Sequence, residues 1–152
     1  MSLSSCCPLP PRFVRKREGL RRLLRLILAL FYFTAGCFHL YATAGFVSIV
    51  PDWVPYPVVV VILTGCCELL GAIALLTPRF RRLAGIMLAV YAVCVFPANI
   101  KHALENIPVG GFLLGWGYHA PRLIFQPFLI WLALFCGDLV TWPFHSHRRV
   151  SA

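Results

Sequence analysis

Val58 to Thr77, VVVVILTGCCELLGAIALLT, is an unbroken apolar run with a single carboxylate, Glu68, in its middle. Twenty residues rising about 1.5 Å each span roughly 30 Å, the hydrocarbon thickness of a bilayer, so the run predicts a transmembrane helix. A carboxylate at the centre of such a helix costs about 2.5 to 3.5 kcal/mol on insertion scales, which obliges Glu68 to face protein or a wet cavity and not lipid. Thr64, Gly65, Gly71 and Ala72 lie three or four residues from it, on the same helix face. Small residues there let neighbouring helices approach closely.

Hydrophobic residues make up 60% of the 152 and charged residues only 12%, too little polar surface to cover a soluble globule. A net charge of +9 would suit nucleic acid, but the arginines gather at the chain ends and in one short loop, the distribution that fixes membrane topology, and nucleic acid is not an expected partner. The expected fold is an all-α integral membrane protein, a four-transmembrane-helix bundle with both termini cytoplasmic.

Residues 1–22 form a basic cytoplasmic arm, 23–142 the four-span domain and 143–152 a short basic tail. Leu3-Ser4-Ser5-Cys6 mimics a lipoprotein cleavage box but lacks the apolar stretch that must precede one. Cys6 and Cys7 remain juxtamembrane acylation candidates. The first span is expected from Leu23 to Thr43, with His39 near its far end. Phe46 to Pro57, with three prolines, Trp53, Tyr56, Asp52 and no Lys or Arg, reads as an interfacial outer loop. The second span returns to Pro78-Arg79-Phe80-Arg81-Arg82, an inner loop. The third, about Leu83 to Ala103, carries Gly85, Ala89, Ala92, Phe96 and Asn99 on one seam, and Pro97 is expected to kink or rewind its outer end. Ile107 to Pro121, with Phe112, Trp116 and Tyr118, is expected to lie as a loop over the bundle mouth. The fourth span is expected to start near Arg122, with Gln126 one turn below, and to end around Trp142.

The polar residues of the spans make the candidate site: Glu68, His39, Asn99, Arg122 and Gln126, with Lys101, His102 and Asp52 behind them. Depth counting puts Glu68 about 15 Å below the outer boundary but Gln126 only about 6 Å below Arg122. That favours His39, Gln126 or water over Arg122 as first partners of Glu68. The alternative is a structural network that glues the helices together.

Seven cysteines include adjacent pairs but no CxxC, so quinone-coupled thiol chemistry is not expected. His39, His102 and His119 fall in three segments without the i, i+4 spacing of a helical metal site, and no metal is expected. His145 and His147 read as a solvated tail.

Gly36-x-x-His39, Ile49-Val50-Pro51-x-Trp53-x-Pro55 and Gly65-x-x-Glu68-Leu69-Leu70-Gly71 resemble the DoxX family of small bacterial membrane proteins. Leu75-Leu76-x-Pro78, Arg81-Arg82-Leu83-Ala84-Gly85, Phe96-Pro97-Ala98-Asn99-Ile100 and Arg122-Leu123-x-x-Gln126-x-x-Leu129-Ile130-Trp131 extend the similarity over about Leu26 to Phe135. Leu40 stands where that pattern leads one to expect Phe. The resemblance implies residence in the bacterial cytoplasmic membrane and a role as an accessory or quinone-associated subunit beside a membrane or peripheral oxidoreductase. Self-association into a homo-oligomer is a further expected partnership. The competing class is a small proton-coupled transporter with Glu68 as its proton-binding carboxylate. Such a transporter would release protons on binding substrate and stop doing so in Glu68→Gln.

The arginine distribution sets the orientation to be tested. In a background lacking the native cysteines, Asp52→Cys should be labelled by an impermeant maleimide on intact cells and Ser146→Cys protected. The reverse pattern inverts the topology.

Overall fold

The computed structural model describes residues 11–108 and 113–142, with side chains from residue 18 onward. They form five helices: α1 (Pro11–Tyr41), α2 (Thr43–Val47), α3 (Pro57–Leu76), α4 (Arg81–Glu105) and α5 (Gly115–Cys136). Four are long and apolar enough to cross a membrane: Glu18–Tyr41 within α1, and the whole of α3, α4 and α5. The protein is an all-α, four-span bundle. The acylation candidates Cys6 and Cys7, the loop residue Phe112 and the tail histidines lie outside the described residues.

The four spanning helices pack as neighbours in chain order, α1 on α3, α3 on α4 and α4 on α5, and α1 meets α5 to close the ring. Two close approaches hold the tightest pairs. A Cβ added to Gly36 would lie 2.8 Å from the Gly65 carbonyl oxygen, where α1 crosses α3. One added to Gly85 would lie 2.8 Å from the Gly137 Cα and 2.9 Å from the Ala133 carbonyl oxygen, where α4 crosses the end of α5. Lipid supplies no hydrophobic drive for helices to associate, so contact at backbone distance carries the packing. The expected seam residues Gly85, Ala89, Ala92 and Asn99 are buried, as are Gly65, Gly71 and Ala72 around Glu68.

The apolar core fills the half of the bundle nearer the amino terminus, where Leu28, Leu75, Leu88, Leu132 and Phe135 interlock. The outward faces are lined with Leu30, Ile73, Met87, Leu104 and Ile124, all exposed in the isolated chain as lipid-facing residues must be.

Helix bounds differ from expectation at both ends of the chain. α1 is already helical at Pro11, the first described residue and twelve residues before the expected Leu23, because Arg, Lys, Leu and Glu favour helix. Arg21 and Arg25 therefore belong to the bundle and are only 4% exposed. Arg25 Nη2 and Arg21 Nη1 reach Asp138 Oδ1 at 2.6 and 2.9 Å, and Arg81 Nη1 stands 3.5 Å from Oδ2. Arg25 Nε donates to the Cys136 carbonyl at 2.7 Å, satisfying an acceptor that the end of α5 leaves open, and Arg21 Nη2 donates to that of Val140 beyond it at 2.9 Å.

α5 starts at Gly115, seven residues before the expected Arg122, and ends at Cys136 instead of Trp142. Pro121 removes only one backbone donor and the helix runs through it, whereas Gly137 and the positive φ of Asp138 (62°) end it. The expected loop therefore gives up residues 115–121 to α5, which carries Trp116 and Tyr118. α4 likewise continues through Pro97 to Glu105.

The glycine crossings give a stability test. Gly36→Ala and Gly85→Ala should each cost about 1 to 3 kcal/mol, because the new methyl meets backbone that cannot rotate away. Gly19→Ala, with nothing within 4 Å of the added carbon, should be neutral or stabilising by up to about 1 kcal/mol. Melting midpoints in detergent would read the difference, and equal midpoints for all three would show that the helices separate freely.

Candidate functional site

The earlier start of α5 removes the mismatch in depth. Glu68 is eleven residues into α3 and Gln126 eleven residues into α5, and both helices start at the same end of the bundle, so both side chains sit roughly 16 Å from it. Above that level, towards α2, the bundle encloses a cavity of about 560 Å³. It is within the range of ligand pockets. Phe31 and Phe38 of α1, Val60 and Val61 of α3, Val95 of α4 and Phe125 and Leu129 of α5 form its walls, and Phe46, Pro51 and Trp53 its roof. His39, Glu68, Asn99, Arg122 and Gln126, the five leading candidates, all line it.

They fall into three groups. At the inner end, Glu68 is 4% exposed, accepts a hydrogen bond from the Tyr91 hydroxyl at 2.8 Å through Oε1, and has Oε2 2.8 Å from His39 Nδ1. The same nitrogen lies 3.0 Å from the Ala35 carbonyl oxygen, which can only accept, so Nδ1 carries a proton and points it along α1. Glu68 Oε2 thus lies against the imidazole but receives no directed hydrogen bond. In the neutral ring Nε2 is the acceptor. Phe46 stacks on the imidazole at 4.0 Å between centroids, which fixes the ring plane. Tyr32, buried beside Tyr91 with ring centroids 6.1 Å apart, has a hydroxyl with no partner among the described residues.

Asn99 and Gln126 form the second group. Gln126 Nε2 donates to the Ala92 carbonyl at 2.6 Å, and its Oε1 accepts from Asn99 Nδ2 at 2.9 Å. Gln126 is therefore spent on joining α5 to α4 and is not a partner of Glu68.

Arg122 belongs to the third group, nearer the mouth. Its Nη1 is 2.9 Å from His102 Nδ1, and His102 Nε2 is 3.0 Å from the Ile107 carbonyl oxygen. The carbonyl fixes the proton on Nε2 and leaves Nδ1 as acceptor for the guanidinium. His119 packs edge-on against His102 at 4.6 Å. Arg122 does not pair with Glu68.

The second-tier residues separate from the cavity. Lys101 Nζ bonds Asp52 Oδ1 at 2.7 Å and the Val50 carbonyl at 3.0 Å, tying α4 to the roof segment, while His102 holds Arg122 from behind. Two participants escaped the sequence reading. Tyr91 and Tyr32 are not among the candidates drawn from the sequence, although a phenol deep in an apolar helix needs a partner and so signals one.

A family model described as a domain of unknown function (DUF8561) matches residues 28–137. The chain belongs to that family. The DUF8561 region takes in every cavity residue named here and leaves Arg21, Arg25 and Asp138 just outside its ends. No curated protein and no solved structure matches the chain.

The Gln126 clamp is testable as packing. Gln126→Leu keeps the volume and removes both bonds, and should cost about 0.6 to 1.7 kcal/mol, the range for interhelical polar contacts in membranes. Reversible unfolding in mixed micelles measures it. No loss would mean that water already satisfies Asn99 and Ala92.

Proposed function

We propose that this protein is an accessory, quinone-associated membrane subunit of a redox system, and that the quinone ring occupies the cavity against His39 and Glu68. The supporting observation is an aromatic-walled cavity that ends on a buried carboxylate whose Oε2 lacks a directed hydrogen bond, beside an imidazole that keeps one acceptor free. Rings suit walls of Phe31, Phe38 and Phe125, and a carbonyl oxygen suits an end built of proton-carrying side chains.

A quinone supplies two-electron chemistry that takes up two protons on reduction. In this reading the electrons come from a partner oxidoreductase. Glu68 and His39 hold and pass a proton at the inner end of the cavity, Tyr91 orients the carboxylate, and Asn99 shapes the opposite wall. The resemblance to DoxX proteins supports the same assignment, and the arginines gathered at the amino-terminal end support both termini being cytoplasmic in a bacterial inner membrane.

The transporter reading finds less support, because among the described residues the bundle below Glu68 is filled by a packed apolar core.

Titration calorimetry of the detergent-solubilised protein with menadione tests the proposal. Saturable binding is expected, weakened about tenfold or more by Glu68→Gln and by His39→Ala, and unchanged by Leu104→Ala on the lipid face. Absence of saturable binding, or binding indifferent to both site variants, would overturn it.

A further inference from the structure

Arg122 is a cation with no anion paired to it among the described residues. It sits seven residues into α5, roughly 10 Å from the start of a membrane-spanning helix. A charge at that depth ordinarily has a partner or a functional cause. All five acidic side chains of the chain fall in the described residues, and none of them is paired with Arg122. Glu18 and Asp138 face Arg21 and its neighbours, Asp52 faces Lys101, Glu68 faces His39, and Glu105 makes no ion pair among the described residues.

What Arg122 does contact holds it in place without neutralising it. His102 Nδ1 takes one of its five N–H donors and, with Nε2–H held by the Ile107 carbonyl, can act there only as a neutral acceptor. The Tyr118 ring lies 5.8 Å from the guanidinium carbon. The side chain is half-buried and lines the cavity.

We infer that the cavity takes an anionic aromatic amphiphile, a planar ring system bearing one carboxylate or ionised hydroxyl group, with that group held by Arg122. The inference rests on the ligand cavity of the proposed function and adds the charge of its occupant. A guanidinium fork matches a planar two-oxygen anion. The anion at Arg122 sits about one helical turn nearer the mouth than Glu68, so the ring lies among Phe31, Phe125 and Asn99 with the like charges apart. His102 is a positioning residue for the guanidinium.

Three ring systems of similar size separate charge from quinone character: menadione, a neutral quinone; lawsone, its hydroxy counterpart, ionised at neutral pH; and naphthoate, an anion that is not a quinone. Calorimetry on the detergent-solubilised protein should show lawsone and naphthoate binding at least about tenfold more tightly than menadione. Arg122→Gln should erase that preference while leaving menadione affinity as it was, and Arg122→Lys should retain part of it. If menadione binds as tightly as the anions, or if the preference survives Arg122→Gln, the inference falls while the quinone reading stands. Naphthoate binding alone would uphold the inference and sink the quinone reading. Binding of none of the three would sink both. Should Arg122→Gln fail to fold, the wild-type ranking and Arg122→Lys still decide.

Discussion

The crossing of α1 and α3 at Gly36 and Gly65 is the contact on which the site depends. The two helices run antiparallel, and in each the Cα–Cβ bonds tilt towards the helix's own amino terminus. His39, one turn beyond Gly36, therefore leans back down the bundle, while Glu68, three residues beyond Gly65, leans up it. The two side chains are displaced along the axis and meet because each reaches towards the other, at 2.8 Å. They can do so only with the backbones in near contact. A Cβ on Gly65 would already stand 3.0 Å from the His39 Cβ. The same small residues that bring the helices together thus set the reach of the acid and the imidazole.

At the opposite end the ring is closed by electrostatics. Three guanidinium groups gather on one carboxylate, and two of them also bond carbonyls at and beyond the end of α5. Arg21 lies in addition over the Phe135 ring at 4.5 Å, so its planar head packs as well as pairs. Removing Asp138 would leave cations on α1 and α4 facing one another in a largely dehydrated place. Such uncompensated charge is far more costly than loss of an exposed ion pair.

Much of this arrangement was legible in the sequence, and the misses share a cause. The run from Val58 to Thr77 fixed a span to within a residue, and Glu68 among small residues had to point inward. Asn99 and Gln126 could be placed on inner faces because helical periodicity in an apolar background is a strong signal. The ends of the helices were less readable. Pro121 suggested a boundary, yet in a membrane bundle the freed carbonyls find other donors and the helix continues. The arginines of α1 were read as a sign of which side they face, which hid their structural part. Asp138 falls inside the span expected to run to Trp142, where an acid calls for a partner as Glu68 does, but nothing local announces that three arginines converge on it. The Tyr91 to Glu68 bond required knowing that α4 is the neighbour of α3, a fact of assembly and not of pattern.

The apolar core beneath Glu68 has a consequence for traffic. Leu28, Leu75, Leu88 and Phe135 are all but inaccessible, and they seal the bundle directly under the polar cluster. A molecule that enters the cavity must leave by the door through which it came, either past the roof of α2 or sideways into the adjoining leaflet. The roof is tied to α4 through Asp52, whose side chain is 92% exposed, so salt weakens that latch while the floor is indifferent to it. The bundle is a cup with a lid, and its two ends respond to different conditions.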